Sequence, residues 1–135
     1  MAKVTALNTK ENIQAKITTS SHEIIADEPI SLGGENVGPA PDELLASALA
    51  ACTAITLRMY INHKKIAVND IHVEVNLEYN KEEKTTTFDR KIRIEGEYDE
   101  AILKRLTSVA NACPVHKMLS AITLIKTELT PSLSS

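Results

Sequence analysis

Between Leu44 and Leu57 the chain reads LLASALAACTAITL, fourteen residues with three hydroxyl side chains and no charge. Leu44, Leu45, Ala48, Leu49, Cys52, Ile55 and Met59 recur at helical spacing, while Ala46, Ala50, Ala51 and Ala54 leave almost no polar face. That pattern predicts a helix enclosed on nearly all sides, the centre of the fold. Gly38-Pro39-Ala40-Pro41 stops what precedes it, Pro41 suits a first helical position, and Asp42 and Glu43 put negative charge at the positive end of the dipole. Arg58, then Tyr60 to Lys65, mark the far end.

A period of two follows. Ile71, Val73, Val75, Leu77 and Tyr79 alternate with polar residues, predicting a half-buried strand, and Asn80 to Thr85 form a turn. In the next strand Phe88, Arg90, Ile92 and Ile94 share one face and Asp89, Lys91, Arg93 and Glu95 the other. Arg90 thus stands on the apolar face. Either it finds a partner there, or its stem packs and its head reaches an edge.

The first 26 residues read as an antiparallel meander of short strands, Lys3 to Leu7, Ile13 to Thr18 and His22 to Ala26. Asp27 to Pro41 holds three of the four glycines and reads as a surface loop. After Gly96, Asp99 caps a helix with Ile102, Leu106, Val109 and Ala110 on one stripe. Cys113 then caps a short helix that opens on Pro114 and carries Val115, Met118, Leu119 and Ile122. Thr123 to Leu129 is expected as a last strand and Thr130 to Ser135 as a frayed tail. The order predicts an α+β fold, antiparallel sheets packed on a long buried central helix, in one domain spanning residues 1–135. So small a chain cannot cover that helix alone, and a homodimer is the natural inference.

Charge and composition narrow the function. A net charge of -3 and few aromatics give no reason to expect nucleic acid or an anionic membrane as partner. The apolar run falls short of the roughly 20 residues of a bilayer crossing, and MAKVTALNTK lacks a signal peptide's apolar core. A cytoplasmic location is expected. Two cysteines are too few for a secreted disulfide scaffold; in a reducing compartment a thiol pair points to catalysis, redox change or metal binding.

Cys52 lies deep in the apolar helix, where burial alone makes a thiol inert, so a functional role requires a nearby cation, Arg90 or Arg58. Cys113 is easier to activate, because a helix start offers free N–H groups and His116 follows three residues on. Cys113 and His116 also have a plausible zinc half-site spacing, discounted because Cys52 is the only further sulfur and the other histidines show no paired spacing. Both cysteines follow apolar stripes into one small core. Their proximity is plausible, and such a pair can alternate between dithiol and disulfide.

GPAPDELLASALAACTAITLRMY resembles the first signature of the OsmC/Ohr family, the osmotically inducible and organic hydroperoxide resistance proteins, and ANACPVHKML the second. ADEPISLGGENVGP and FDRKIRIEG also look like its OsmC-like branch, so the likeness runs from Ala26 to Ile122. The resemblance implies an intertwined homodimer with active sites formed by both subunits. It implies that Cys52 is the peroxidatic thiol and Cys113 the resolving one. Cys52 would attack an organic hydroperoxide, its sulfenic acid would condense with Cys113, and an external dithiol, lipoyl-linked in better-known members, would restore the thiols. No metal or bound cofactor is implied. Family peroxidases use an arginine from the N-terminal strands, held by a glutamate just after the motif's proline. Here Asp42 follows Pro41 with Glu43 next, the first arginine is Arg58, and Arg90 is the candidate replacement. Two other readings remain open: a redox sensor or small-ligand binding protein without turnover, and a disulfide exchange partner.

Overall fold

The structure, a computed structural model, describes residues 2–132. β1 (Thr5–Leu7), β2 (Ala15–Thr18) and β3 (Glu23–Ala26) form the expected antiparallel meander, with Ala6 facing Ile17 and Ile17 facing Ile24. The strands are shorter than their β-type sequence. The Asn8 amide donates to the carbonyls of Asn12 and Gln14, so the side chain takes acceptors that a longer ladder would need.

The loop from Asp27 to Ala40 contains one turn of 3-10 helix, Ile30–Leu32, closed by Gly33 at φ 93°. Asp27 is buried and organises the loop. Its carboxylate accepts from the backbone N–H groups of Glu28 at 2.8 Å, Glu35 at 3.1 Å and Val37 at 3.2 Å. Gly38 presses on β3 so closely that a Cβ there would meet the Ile25 carbonyl oxygen at 1.8 Å.

The central helix α1 runs Pro41–Lys64, with Pro41 in its first turn and the Glu43 carboxylate accepting from the Ala40 N–H at 2.9 Å. At 24 residues it is longer than the apolar run suggested, and long and apolar enough to cross a membrane. Its role here is that of a core helix. Leu49, Thr53, Leu57 and Ile61, spaced by four, form its buried stripe. The expectation of enclosure on nearly all sides needs correction: Ile55 is 59% and Met59 68% exposed. One ribbon and two short helices cover only one side of a helix this long.

β4 (Ala67–Asn80) and β5 (Thr85–Glu97) form a separate two-stranded antiparallel ribbon. The alternating residues face as read, Ile71 opposite Ile94, Val75 opposite Arg90 and Leu77 opposite Phe88. At the turn Asn80 accepts from the N–H groups of Glu82 and Glu83, and Lys84 takes φ 53°. A bulge between Val68 and Ile71 frees carbonyls of Val68 and Asn69, and the Arg58 guanidinium donates to both.

α2 (Glu100–Asn111) starts at Asp99, whose side chain accepts from the Ile102 N–H, and α3 (Pro114–Leu119) starts at Cys113. Leu57, Ile61, Leu106 and Ala110 form the innermost core, with Ile71, Ile92 and Ile94 of the ribbon against it. The predicted last strand is not formed. Residues 123–129 belong to no sheet, and Ile122 and Leu129 are more than nine-tenths exposed. Apolar alternation alone does not make a strand, and this segment pairs with no edge of either sheet among the described residues. Of the tail, residues 130–132 are exposed and the remainder lies outside the described residues.

Candidate active site

The two cysteines arrive from different helices at one place. Cys52 projects from the middle of α1, half-buried, with its sulfur 3.9 Å from the Thr56 hydroxyl. Cys113 occupies the joint between α2 and α3 and is 0% exposed. Helix α2 stops because Ala112 and Cys113 fold back on its last carbonyls, and Pro114 can open a helix but not continue one. The Cys113 sulfur accepts from the His116 backbone N–H at 3.3 Å. Cys52 and Thr53 lie near this sulfur, and the Thr53 hydroxyl donates to the Leu49 carbonyl at 2.7 Å.

Arg90 enters the same cluster from the ribbon. Of the two readings open to an arginine on an apolar strand face, the structure selects the partnered one. Its Nη1 donates to the Thr53 hydroxyl at 3.0 Å and to the Ala110 carbonyl at 3.3 Å. Its Nη2 donates to the Asn111 side-chain oxygen at 2.8 Å and meets His116 Nδ1 at 3.1 Å. Guanidinium can only donate, so Nδ1 accepts and the imidazole proton sits on Nε2. The Ala110 and Asn111 partners lie at the carbonyl end of α2, where a cation is favoured.

These contacts act on one sulfur in particular. Burial pushes the Cys113 thiol up, but the His116 N–H, the Cys52 thiol, the Thr53 hydroxyl and the Arg90 charge together outweigh it. Cys113 is held below the ordinary thiol range. A cleft of about 460 Å³ lined by Leu49, Thr86, Phe88, Arg90, His116 and Leu119 opens beside this cluster. A larger one of about 630 Å³, between residues 71–74 and 91–93, touches neither cysteine.

The remaining sequence candidates fall elsewhere. Asp42 accepts from the Glu43 N–H and Glu43 caps α1. Ten residues of helix, about 15 Å, separate Asp42 from Cys52, so neither acid joins the thiol site of its own chain. Arg58 is taken up by the β4 carbonyls. Asn111 and Thr53 were not singled out from the sequence, although Thr53 adjoins Cys52 and Asn111 stands two before Cys113. The ring of His116, expected at the Cys113 sulfur, serves Arg90 instead, and its backbone N–H makes the sulfur contact.

Arg90 engages Nδ1 of His116, so a Cys113–His116 half-site would have only Nε2 to offer. Among the described residues one other group, Asp70, His72 and Glu95, brings three ligand atoms within 4.8 Å of one another. It contains no cysteine, and Glu95 already meets Arg93 at 2.5 Å and His72 at 3.4 Å.

The fold recurs in solved structures. The OsmC-like protein from Mycoplasma pneumoniae matches with a TM-score of 0.76 and 21% identity over 90% of this chain and 89% of that one. An organic hydroperoxide resistance protein OsmC from Legionella pneumophila matches at 0.62 and 22%, over 88% of each chain. The organic hydroperoxide resistance protein OhrB of Bacillus subtilis matches at 0.58 and 22%, over 87% of this chain and 89% of that one. No curated protein sequence matches. Residues 33–128, which carry both cysteine motifs and Arg90, match the family described as OsmC-like protein, and the chain belongs to that family.

Proposed function

We propose that the protein reduces organic hydroperoxides with its cysteine pair. The observation that carries this reading is the meeting of the two cysteines around one guanidinium: Arg90 holds Thr53, next to Cys52, and His116, whose N–H meets the Cys113 sulfur. Two solved relatives are named for organic hydroperoxide resistance, which supports the same class of substrate. Cys52, the more open of the two sulfurs, attacks the distal peroxide oxygen. The O–O bond breaks, the alcohol leaves with a proton, and Cys52 becomes a sulfenic acid. Cys113 then attacks the sulfenic sulfur, hydroxide leaves, and a disulfide forms. An external dithiol returns both cysteines to thiols and becomes a disulfide itself.

The working form is a homodimer. Ile55 and Met59 on α1, and the strand-like segment 123–129, present apolar side chains that no other described residue covers. A second copy offers that cover and can bring its Asp42 and Glu43 towards the thiols. Rapid mixing with an alkyl hydroperoxide and a dithiol tests the reading: steady turnover is expected, abolished in Cys52→Ser. Turnover unchanged in Cys52→Ser rejects Cys52 as the nucleophile. One round of oxidation without cycling replaces the enzyme with a sensor.

A further inference from the structure

Two threonines follow Cys52 on α1, and their hydroxyls are used differently. Thr53 is buried, donates its one proton to the Leu49 carbonyl at 2.7 Å and accepts from Arg90 at 3.0 Å. Helical threonines commonly turn the hydroxyl to the carbonyl four residues back, as Thr53 and Thr107 do here. Thr56, one turn after Cys52 and half-buried like it, does not. Its oxygen faces the Cys52 sulfur at 3.9 Å, and among the described residues that sulfur is its one hydrogen-bond partner. The i, i+4 spacing stacks the two side chains on one face of the helix without help from any other element. Among the described residues no charged side chain hydrogen-bonds to Cys52. The Arg90 Nη groups are taken by Thr53, Ala110, Asn111 and His116, and the Arg58 guanidinium by the β4 carbonyls.

We propose that Thr56 is a further catalytic residue, whose hydroxyl donates a hydrogen bond to the ionised Cys52 sulfur before it attacks. This deepens the hydroperoxide reading and rests on it. A hydroxyl has one proton to give, and a protonated thiol is a weak acceptor for it. Once the thiol proton has left for water, the same rotamer donates to a full negative charge, and a hydrogen bond to an ionised group is roughly twice as strong as a neutral one. The gain falls on the ionised form alone, which is what activates a thiol nucleophile. Thr56 keeps its own proton throughout: the Cys52 sulfur forms its bond to the distal oxygen, the O–O bond breaks, and the departing alkoxide takes a proton from water. For an ordinary thiol near neutral pH the fraction ionised limits the rate more than the strength of each thiolate, so the contact favours attack.

The test uses alkylation in place of peroxide, so its failure is distinct from failure of the hydroperoxide reading. In a Cys113→Ser background, which leaves Cys52 as the one thiol, the rate of reaction with iodoacetamide is followed against pH for the parental Thr56, for Thr56→Val and for Thr56→Ser. Below about pH 8, Thr56→Val is expected to react roughly three- to tenfold more slowly, and Thr56→Ser to keep most of the parental rate. Near about pH 10, where ordinary thiols are ionised, the three curves are expected to converge. Superimposable curves for the parent and Thr56→Val overturn the proposal, as does a Thr56→Ser as slow as Thr56→Val. A deficit that persists at high pH overturns it too, because lost packing, unlike a lost hydrogen bond to the thiolate, is not removed by ionising the thiol. Thr56→Ala supplies a second side chain without the hydroxyl should the valine variant fail to fold. Absence of hydroperoxide turnover in the parent protein rejects the hydroperoxide reading and leaves the alkylation result standing.

Discussion

One side of this molecule is closed and the other is open. On the closed side the ribbon, α2 and α3 pack on the Leu49, Thr53, Leu57 and Ile61 stripe of α1, and Leu57 and Leu106 are inaccessible to water. Elsewhere the outer face of α1, the β1–β3 sheet and residues 123–129 expose isoleucines, leucines and Met59 that no other described residue covers. The apolar character of the two sides is similar, so composition does not separate them. What separates them is whether the same chain supplies the cover. The thiol cluster sits in the closed side, held by residues of four different elements, α1, β5, α2 and α3, which suits a site that must keep two sulfurs in register.

The widest gap between the two sides is expected in core truncations. Leu57→Ala removes side-chain atoms that cannot be re-covered, and a loss of about 2–5 kcal/mol in urea unfolding is expected. Leu7→Ala, on the open β1 strand, is expected to cost less than about 0.5 kcal/mol in a monomer. Similar costs for both would mean that the open side is buried in solution. A second copy would bury it.

That question is answered directly by charge. Met59→Glu and Ile55→Glu put a carboxylate on the outer face of α1 and leave its inner stripe alone. Light scattering is expected to show dimer for the parent and monomer for either variant, because an unpaired carboxylate buried across an interface costs several kcal/mol. Equal masses for parent and variants would leave that face to solvent.

How much of this was legible depended on range. The alternation through Ile71 to Tyr79 and Phe88 to Ile94, the Asp99 and Cys113 caps and the Pro41 start are local patterns, and each appears where it was read. The placing of Arg90 on the inner strand face was legible too, because a period of two is unambiguous. Its partners were not, since Thr53, Ala110, Asn111 and His116 come from three other helices and converge only in the folded chain. Residues 123–129 have strand chemistry and no strand. Sequence records what a segment could pair with, not whether an edge is present. The same limit explains α1, whose all-round apolar character reports the cover it needs and not the cover one chain provides.

The Asp27 loop joins the open sheet to α1, and pH offers a gentler way to loosen it. Burial pushes the Asp27 carboxyl up, but the N–H groups of Glu28, Val37, Glu35 and Asn36 outweigh it and hold it below its ordinary value of 3.8. For a depressed carboxyl the stabilisation is complete above the ordinary value and is lost as pH falls through the lower folded one. The protection of the Glu35 and Val37 amides, exchange measured against the intrinsic rate at each pH, is therefore expected to be high at neutral pH and to fall in the acid range below about pH 4. Asp27→Asn is expected to show the faster exchange at neutral pH, with the closed-side amides unaffected. Uniform acceleration across the chain would mean that the two sides open together.

The smallest expected effect concerns Glu43, which stands at the joint of the two sides. Within one chain it accepts from the Ala40 N–H and starts α1. Glu43→Ala is expected to cost about 1 kcal/mol, the usual worth of a capping contact, and Glu43→Gln only a few tenths, because its amide oxygen can still accept. If the partner's Glu43 also serves the thiols, Glu43→Gln keeps the helix start and removes the charge. Hydroperoxide turnover in Glu43→Gln should then fall well below that of the parent while the unfolding midpoint stays in place. A variant that matches the parent in both measurements assigns Glu43 to the helix alone.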